Sequence, residues 1–190
     1  RRKKMMNITY QFISSFDFNS FFIEARKLLF QTNFDFNVWE VMSDEEKRKT
    51  KSLGEVFESI KDYYLVAKEN DKIIGWSFGL QKSETEFYMI NSAVFPEYRR
   101  KGVYTEMLRR AVSHIQDMGF QHIYSRHKMS NNDIIIPKLK YGFVISGMEV
   151  NDVFGNLVQL SYYTNEKRRE LLEIRMGMRK MNEEYMKLVK

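Results

Sequence analysis

The segment from residue 86 to residue 118 constrains the fold most strongly, because it combines a strand, a basic loop and a helix in direct succession. The run from Glu86 to Val94 predicts a central strand, and apolar residues at helical spacing predict a helix from Tyr104 to about Met118. Between them, the glycine of Arg99-Arg100-Lys101-Gly102 lets the backbone approach an anion closely. The first free N–H groups of the helix point at the same place. This succession predicts a diphosphate site.

The remaining elements are predicted in the order β-α-α-β-β-β-α-β-α-β-β. Strands are expected over residues 8–12, 63–69, 72–80, 86–94, 121–126, 143–150 and 157–163. Helices are expected from an N-cap at Asn19 to about residue 30, from the capping box at Ser43 to about residue 60 with a break near Gly54, and over residues 104–118 and 131–140. Asn70-Asp71 is typical of a hairpin turn. This order predicts a mixed sheet with helices on both faces.

A second motif lies downstream, with Asn131, Ile134-Ile135 and Lys140-Tyr141-Gly142-Phe143, and with a spacing of 11 from Asn131 to Gly142. Together with the basic loop and the order of elements, it resembles the GNAT N-acetyltransferases. Their signature Arg/Gln-x-x-Gly-x-Gly/Ala holds the pyrophosphate of acetyl-CoA; Arg99 and Gly102 match it, whereas Tyr104 stands where the family prefers Gly or Ala. The resemblance covers residues 8 to 163. It implies the α/β (α+β) GNAT acyl-CoA N-acyltransferase fold, with a mixed central sheet of about seven strands.

The resemblance implies acetyl-CoA as co-substrate and no metal. Acetyl-CoA would lie where the strands 86–94 and 121–126 splay apart, and backbone groups near Ala93 and Val94 would polarise the thioester carbonyl. Asn131 belongs to the second motif at the same site. The pyrophosphate would be held by the loop and helix start, namely Arg99, Arg100, Lys101, Gly102, Val103, Tyr104 and Thr105. The Tyr104 ring could stack on the cofactor or point into the core.

The implied reaction is transfer of an acetyl group to a primary amine of an unidentified small molecule or peptide, by direct attack in a ternary complex. A lysine-like amine has a pKa of about 10.4, so only about one molecule in 2,500 is neutral at pH 7. Candidate bases are Glu86, Tyr88 and His127, which could equally be an edge charge, a core residue and a loop residue. Lys138 stands where many members carry a tyrosine acid. It could donate a proton, offer positive charge, or lie solvated on the outer helix face.

Aromatic residues with one carboxylate cluster after the first helix, and they suit an amine with an apolar body. They are Phe34, Asp35, Phe36 and Trp39. A plain core cluster explains the same residues, so the acceptor stays open. An alternative function is a GNAT-fold CoA-binding regulatory protein with little catalytic activity.

Charge and composition limit other function classes. The net charge is +6, but four of those charges lie in Arg1-Arg2-Lys3-Lys4, which leaves about +2, so nucleic-acid binding through this head is the minor alternative. The absence of cysteine excludes disulfides, thiolate metal sites and a cysteine nucleophile. No run of 18 apolar residues and no signal peptide are visible, so a soluble cytoplasmic protein without membrane partners is expected.

The C-terminal residues carry a heptad-like pattern. Apolar residues follow one another at spacings of 3 and 4, namely Leu171, Ile174, Met178, Met181, Tyr185 and Leu188. This pattern predicts an amphipathic helix over residues 165–190 that docks on a second subunit in a homodimer, or packs back on the domain. The predicted division is therefore a basic head at 1–6, an acetyltransferase domain at 7–164 and this helix.

Overall fold

A computed structural model describes residues 7–30, 42–55 and 60–187. The strands are β1 (Ile8–Phe12), β2 (Asp62–Glu69), β3 (Lys72–Gln81), β4 (Glu86–Val94), β5 (His122–Lys128), β6 (Val144–Asn151) and β7 (Gly155–Tyr163). The helices are α1 (Ser15–Leu29), α2 (Asp44–Glu55), α3 (Val103–Asp117), α4 (Asn132–Tyr141), α5 (Glu166–Arg175) and α6 (Glu183–Met186). A short 3₁₀ turn, Pro96–Tyr98, follows β4.

The strands form one seven-stranded sheet in the order β1-β2-β3-β4-β5-β7-β6. The pair β4–β5 is parallel and the other five neighbouring pairs are antiparallel. The turn at Asn70 and Asp71 has positive φ at both residues, as a two-residue hairpin of this kind requires. The predicted mixed sheet of seven strands is confirmed.

The sheet separates two apolar cores. On one face, α3 buries its apolar stripe, including Met107, Ala111 and Ile115, and α4 adds Ile135. On the other face, α1 packs Phe18 against the sheet beside Trp76. Helices therefore cover both faces, and the strands between them are positioned from both sides. Across the described ranges 7–30, 42–55 and 60–187, no helix is long and apolar enough to cross a membrane.

The start of the first helix differs from the prediction. The helix begins at Ser15 rather than after Asn19, because the Ser14 side-chain oxygen accepts a hydrogen bond from the Asp17 N–H at 3.1 Å and satisfies a free donor of the first turn. The capping box at Ser43 forms as predicted: Ser43 N–H donates to the Glu46 carboxylate at 2.8 Å.

The predicted continuous helix over residues 165–190 is wrong. The helix α5 ends at Arg175, and Gly177 follows with φ of +74°, a left-handed conformation that stops a helix. The side chains of Met178 and Met181 are exposed, whereas Tyr185 in the short α6 is buried. The heptad pattern therefore makes no single stripe among the described residues. The homodimer and the domain division stay predictions, and Leu188 lies outside the described residues, as do Arg1 to Lys4.

Candidate active site

The strands β4 and β5 form a fork. They pair at Glu86↔His122, Phe87↔Ile123 and Tyr88↔Tyr124, and no further pair joins them along the rest of either strand. On its other side, β4 carries a bulge, because Ile90 is skipped between the pairs Gly79↔Met89 and Phe78↔Asn91. A bulge bends a strand and increases its twist. The strands therefore diverge from Met89 and Ser125 onward, and we call this place the fork.

A cavity of about 440 Å³ opens beside the fork and reaches the basic loop. It is lined by the end of β4, the loop, the start of α3 and the first turn of α4. Of the predicted cofactor residues, it contains Ala93, Val94, Arg99, Arg100, Gly102, Val103, Tyr104, Thr105 and Asn131. Lys101 is exposed, with its Nζ 5.3 Å from the centre of the Tyr98 ring, and does not line the cavity. We call this cavity of about 440 Å³ the cofactor cavity.

The basic loop has the backbone of an anion cradle. Gly102 has φ of +83° and directly precedes α3, and a methyl group added there would meet nothing within 4 Å. The side chain of Arg99 donates from Nε to the Val94 carbonyl at 3.0 Å, so it ties the loop to the end of β4. The free N–H groups of α3 and this open space fit a diphosphate.

Tyr104 has its ring in the wall of the cofactor cavity and also packs against the core. Its hydroxyl is buried and has no hydrogen-bond partner among the described residues. Burial raises the pKa of Tyr104, so this phenol stays neutral. The sequence left two orientations open, and the hydroxyl takes the inward one.

A second cavity of about 620 Å³ lies on the other side of the fork. Both cavities are lined by Phe30, Ser92, Asn131 and Ile134, so they meet at these residues. The second cavity is bounded by α1, through Phe22 and Arg26, and by β4 and β5. We call it the acceptor cavity. The predicted acceptor residues Phe34, Asp35, Phe36 and Trp39 lie outside the described residues.

The structure brings two of the three predicted bases to the acceptor cavity. Tyr88 and His127 line it, whereas Glu86 does not. The Glu86 carboxylate lies in the paired part of β4, before the fork, where it is 3.0 Å from Nδ1 of His122. The register of the two strands explains this difference. Glu86 forms the first β4–β5 pair, with His122, so its side chain is held beside that histidine, whereas Tyr88 forms the last pair, next to the fork. Glu86 is thus not part of the candidate site.

Lys138 is buried at the fork. Its residue is 1% exposed, and its Nζ donates to Ser125 Oγ at 2.6 Å and lies 3.6 Å from Met89 Sδ. Met89 and Ser125 are the first residues after the last β4–β5 pair. The interpretation of Lys138 as a solvated lysine on the outer helix face is therefore wrong. Burial lowers the pKa of Lys138 to about 7, so both its charged and its neutral form are accessible near neutral pH.

His127 is joined to the same serine. Its Nε2 is 2.9 Å from Ser125 Oγ. Burial, and secondly the positive charge of Lys138, lower the pKa of His127 to about 3, so the imidazole is neutral at physiological pH. Ser125 therefore links a buried lysine to a neutral histidine. The sequence analysis did not single out Ser125. The pattern that could have revealed it is a hydroxyl residue two positions before His127 on the same strand, which places both side chains on one face.

Tyr88 is held by a second group that the sequence did not reveal. Arg126 lies 5.0 Å above the Tyr88 ring, and its guanidinium pairs with the Glu149 carboxylate at 2.9 Å. Burial raises the pKa of Tyr88 despite the nearby arginine, so the phenol is neutral. Arg126 lies on β5 and Glu149 on β6, and β7 lies between these two strands in the sheet. The contact therefore depends on the sheet order, which no local sequence pattern predicts.

Comparisons with known proteins agree with this geometry. The model of the acetyltransferase (GNAT) family matches residues 30–143. Comparison with curated protein sequences gives no significant match. A GNAT-family acetyltransferase of Streptococcus pneumoniae superposes with a TM-score of 0.62 at 16% identity, over 84% of this chain and 100% of that chain. For an Ard1 protein of Thermoplasma volcanium, the TM-score is 0.59 at 21% identity, over 84% and 99% of the two chains.

A putative acetyltransferase of Salmonella typhimurium, solved with its cofactor acetyl-CoA, superposes with a TM-score of 0.60 at 16% identity, over 84% of this chain and 95% of that chain. At these low identities, the superpositions show a shared fold and nothing further about this chain. The family match spans more than half of the sequence, and it includes both motifs and both strands of the fork. This chain belongs to the GNAT family of acetyltransferases.

Proposed function

We propose that this enzyme transfers the acetyl group to a primary amine of a small molecule or peptide, by direct attack of the amine within a ternary complex. The observation that carries the proposal is the meeting of two cavities at the fork, with Lys138 buried at its apex. One cavity carries the anion cradle and the other is open to a second molecule. Both substrates can therefore occupy the protein together, as direct attack requires.

The cofactor cavity would hold acetyl-CoA, which supplies an activated thioester. The loop from Arg99 to Thr105 fits its pyrophosphate, and the edge of β4 at Ala93 and Val94, which is not paired with β5, leaves backbone groups for its pantetheine arm. Backbone N–H groups aimed at the thioester oxygen stabilise the charge that develops there. Asn131, which lines both cavities, lies at the passage between them.

The acceptor side offers no strong base among the described residues. His127 has a pKa of about 3, Tyr88 is a neutral phenol, and Glu86 lies elsewhere. The acceptor amine must then be neutral without a strong base in the protein to remove its proton. An α-amino group, with a pKa of about 7.7–8.0, is neutral far more often at pH 7 than a lysine-like amine with a pKa of about 10.4. We therefore expect an α-amine, as in an amino acid or a peptide N-terminus.

Lys138 would protonate the leaving CoA thiolate. It replaces the tyrosine of other family members, and its pKa of about 7 suits a general acid at neutral pH. Lys138 itself lines neither cavity, but it lies one helical turn after Ile134, which lines both. Its ammonium contacts Met89 and Ser125, where β4 and β5 begin to diverge.

Thiol release from acetyl-CoA with a panel of amines tests the proposal. We expect release with α-amines and little with lysine side-chain analogues. Lys138→Met is expected to lower kcat by about 10²–10⁴-fold, the range of general acid catalysis, with little change in acetyl-CoA affinity. Lys140→Met, which removes an exposed lysine from the same helix, is the matched control. Wild-type kcat in Lys138→Met would contradict the proposed role of Lys138.

The alternative is a CoA-binding regulatory protein with little catalytic activity. The specific observation in its favour is the lack of a strong base among the described residues of the acceptor cavity. Acetyl-CoA binding, measured by calorimetry, without thiol release from any amine of the panel would support this alternative and overturn the first proposal. The nucleic-acid alternative rests on Arg1 to Lys4, which lie outside the described residues.

A further inference from the structure

We propose that His127, Ser125 and Lys138 form a proton relay, which carries the proton lost by the acceptor amine across the fork to the leaving thiolate. The inference rests on the proposed acetyl transfer and adds how one proton crosses the site. It gives Ser125 a role in catalysis, and it assigns His127 to proton transfer in a chain rather than to a free-standing base.

The geometry supports a continuous path. His127 Nε2 and Ser125 Oγ are 2.9 Å apart, and Ser125 Oγ and Lys138 Nζ are 2.6 Å apart, so both distances are those of hydrogen bonds. His127 is one of the residues that line the acceptor cavity, and Nδ1 is the ring nitrogen not bonded to Ser125. The other end of the path, at Lys138, lies where β4 and β5 diverge. The path therefore runs from the acceptor to the fork.

The surroundings confine the proton to this path. Ser125 is 0% exposed and Lys138 is 1% exposed. Besides Ser125, the described contacts of the Lys138 ammonium are Met89 Sδ from β4 and the Phe143 ring, whose centre is 4.8 Å away. Neither contact can accept a proton. His127 is the titratable group that faces Lys138 through Ser125, since no carboxylate contacts the lysine among the described residues.

The steps balance. The amine nitrogen forms the C–N bond with the thioester carbonyl carbon, the C–S bond breaks, and its electron pair goes to sulfur. Lys138 gives a proton to that thiolate and becomes neutral. Its lone pair then accepts the Ser125 hydroxyl proton, Ser125 takes a proton from His127 Nε2, and His127 Nδ1 takes one from the acetylated nitrogen. One proton has passed from nitrogen to sulfur, and all three residues end in their starting charge states. His127 ends with its proton on Nδ1, and exchange of protons with water in the acceptor cavity returns it to the Nε2–H tautomer before the next turnover.

The electrostatics favour this direction. Lys138 has a pKa of about 7 and can exist in both forms at neutral pH. The charge of Lys138 contributes to the low pKa of His127. When Lys138 loses its proton to the thiolate, that repulsion disappears, and His127 becomes a better proton acceptor at the moment it must accept. The relay therefore couples release of the thiolate to deprotonation of the amine.

The test is Ser125→Ala, with Ser125→Thr, which keeps a hydroxyl, and Ser161→Ala as comparison variants. Ser161 is also a buried serine, with its Oγ 2.9 Å from Nε2 of His122, but it lies on β7 outside both cavities. We expect Ser125→Ala to lower kcat about 10²-fold with acetyl-CoA affinity within threefold of wild type. Ser125→Thr should keep most of the activity, and Ser161→Ala all of it.

Two readouts separate a relay from a structural role. Rates in mixtures of H₂O and D₂O should follow a curved proton inventory in the wild type, because several protons move together, and a linear one in Ser125→Ala. The imidazole ¹⁵N spectrum has only three histidines to assign. In it, the pKa of His127 should rise in Lys138→Met. Wild-type kcat and a curved inventory in Ser125→Ala, or an unchanged His127 pKa in Lys138→Met, overturn the relay alone. No thiol release by the wild type overturns acetyl transfer itself, and the relay with it.

Discussion

The two edges of β4 differ although they belong to one strand. Toward β3, pairing runs in seven pairs from Gly75↔Val94 to Gln81↔Phe87, interrupted only by the bulge at Ile90. Toward β5, it stops after three pairs. The closed edge holds the sheet together, and the open edge leaves backbone and space for a ligand. The site is thus made by ending a strand pair early, while the opposite edge keeps the strand in place.

The polar groups buried at the two edges differ in the same way. Near the closed edge, Ser77 Oγ lies 2.8 Å from the Tyr63 hydroxyl and 2.9 Å from Ser92 Oγ, so neutral hydroxyls satisfy one another. At the open edge, the ammonium of Lys138 has Ser125 as its hydrogen-bonding oxygen. Burying a charge costs far more than burying a satisfied hydroxyl. A costly buried cation at the open edge is typical of a functional site rather than of a structural core.

The largest expected effect comes from the cost of burying Lys138. Its pKa of about 7 in the folded protein lies below the value near 10.4 of an unfolded chain, so the unfolded state binds more protons between these values. The free energy of unfolding should therefore rise from pH 7 to pH 9.5, by at most about 1.4 kcal/mol per pH unit. Urea denaturation at several pH values measures it. The rise should disappear in Lys138→Met and persist in Lys140→Met; a rise that survives in Lys138→Met would contradict the assignment.

Gly79→Ala tests the closed edge. A methyl group at Gly79 would overlap the Tyr88 carbonyl oxygen and lie 2.9 Å from the Phe87 ring. The strands β3 and β4 would have to separate, so we expect a loss of about 1–3 kcal/mol in the free energy of unfolding, the usual cost of overpacking. The control is Gly147→Ala in β6, where the added methyl group meets only Gln159 Cβ at 3.9 Å. Equal stability of the two variants in urea would show that the closed edge is not tightly packed.

The difference between the edges also explains what the sequence could predict. The strands, the hairpin at Asn70-Asp71 and the loop from Arg99 to Thr105 were predictable, because each depends on neighbours in sequence. The surroundings of the Glu86 and Lys138 side chains were not predictable, because they depend on where the pairing of β4 and β5 stops. The prediction of one continuous C-terminal helix was wrong for a local reason, because Gly177 ends the helix. The heptad spacing of the apolar residues was given more weight than this glycine. Apolar spacing alone does not reveal a helix stop.

Gly102→Ala tests the basic loop of the cofactor cavity, which adjoins the open edge. Gly102 has φ of +83°, so an alanine there is strained by about 1 kcal/mol, and its methyl group would occupy the open space of the cradle. We expect acetyl-CoA affinity to fall about tenfold, or about 1.4 kcal/mol. Gly155→Ala, at φ of +73° with open space in the β6–β7 turn, should lose similar stability and keep its affinity. Calorimetry on both variants separates strain from loss of the cradle, and an equal affinity for both would argue against an anion site at Gly102.

The smallest expected effect is that of Tyr104→Phe, which compares an unpaired hydroxyl with a paired one. The Tyr104 hydroxyl is buried without a partner among the described residues, whereas the hydroxyl of Tyr63, a buried core residue, is bonded to Ser77 at 2.8 Å. Removing an unsatisfied buried hydroxyl relieves desolvation, and removing a paired one loses a hydrogen bond worth about 1 kcal/mol. Urea denaturation should therefore show Tyr104→Phe up to about 1 kcal/mol more stable and Tyr63→Phe less stable than wild type. A loss of stability in both variants would mean that the Tyr104 hydroxyl has a hydrogen-bond partner and that its burial carries no cost.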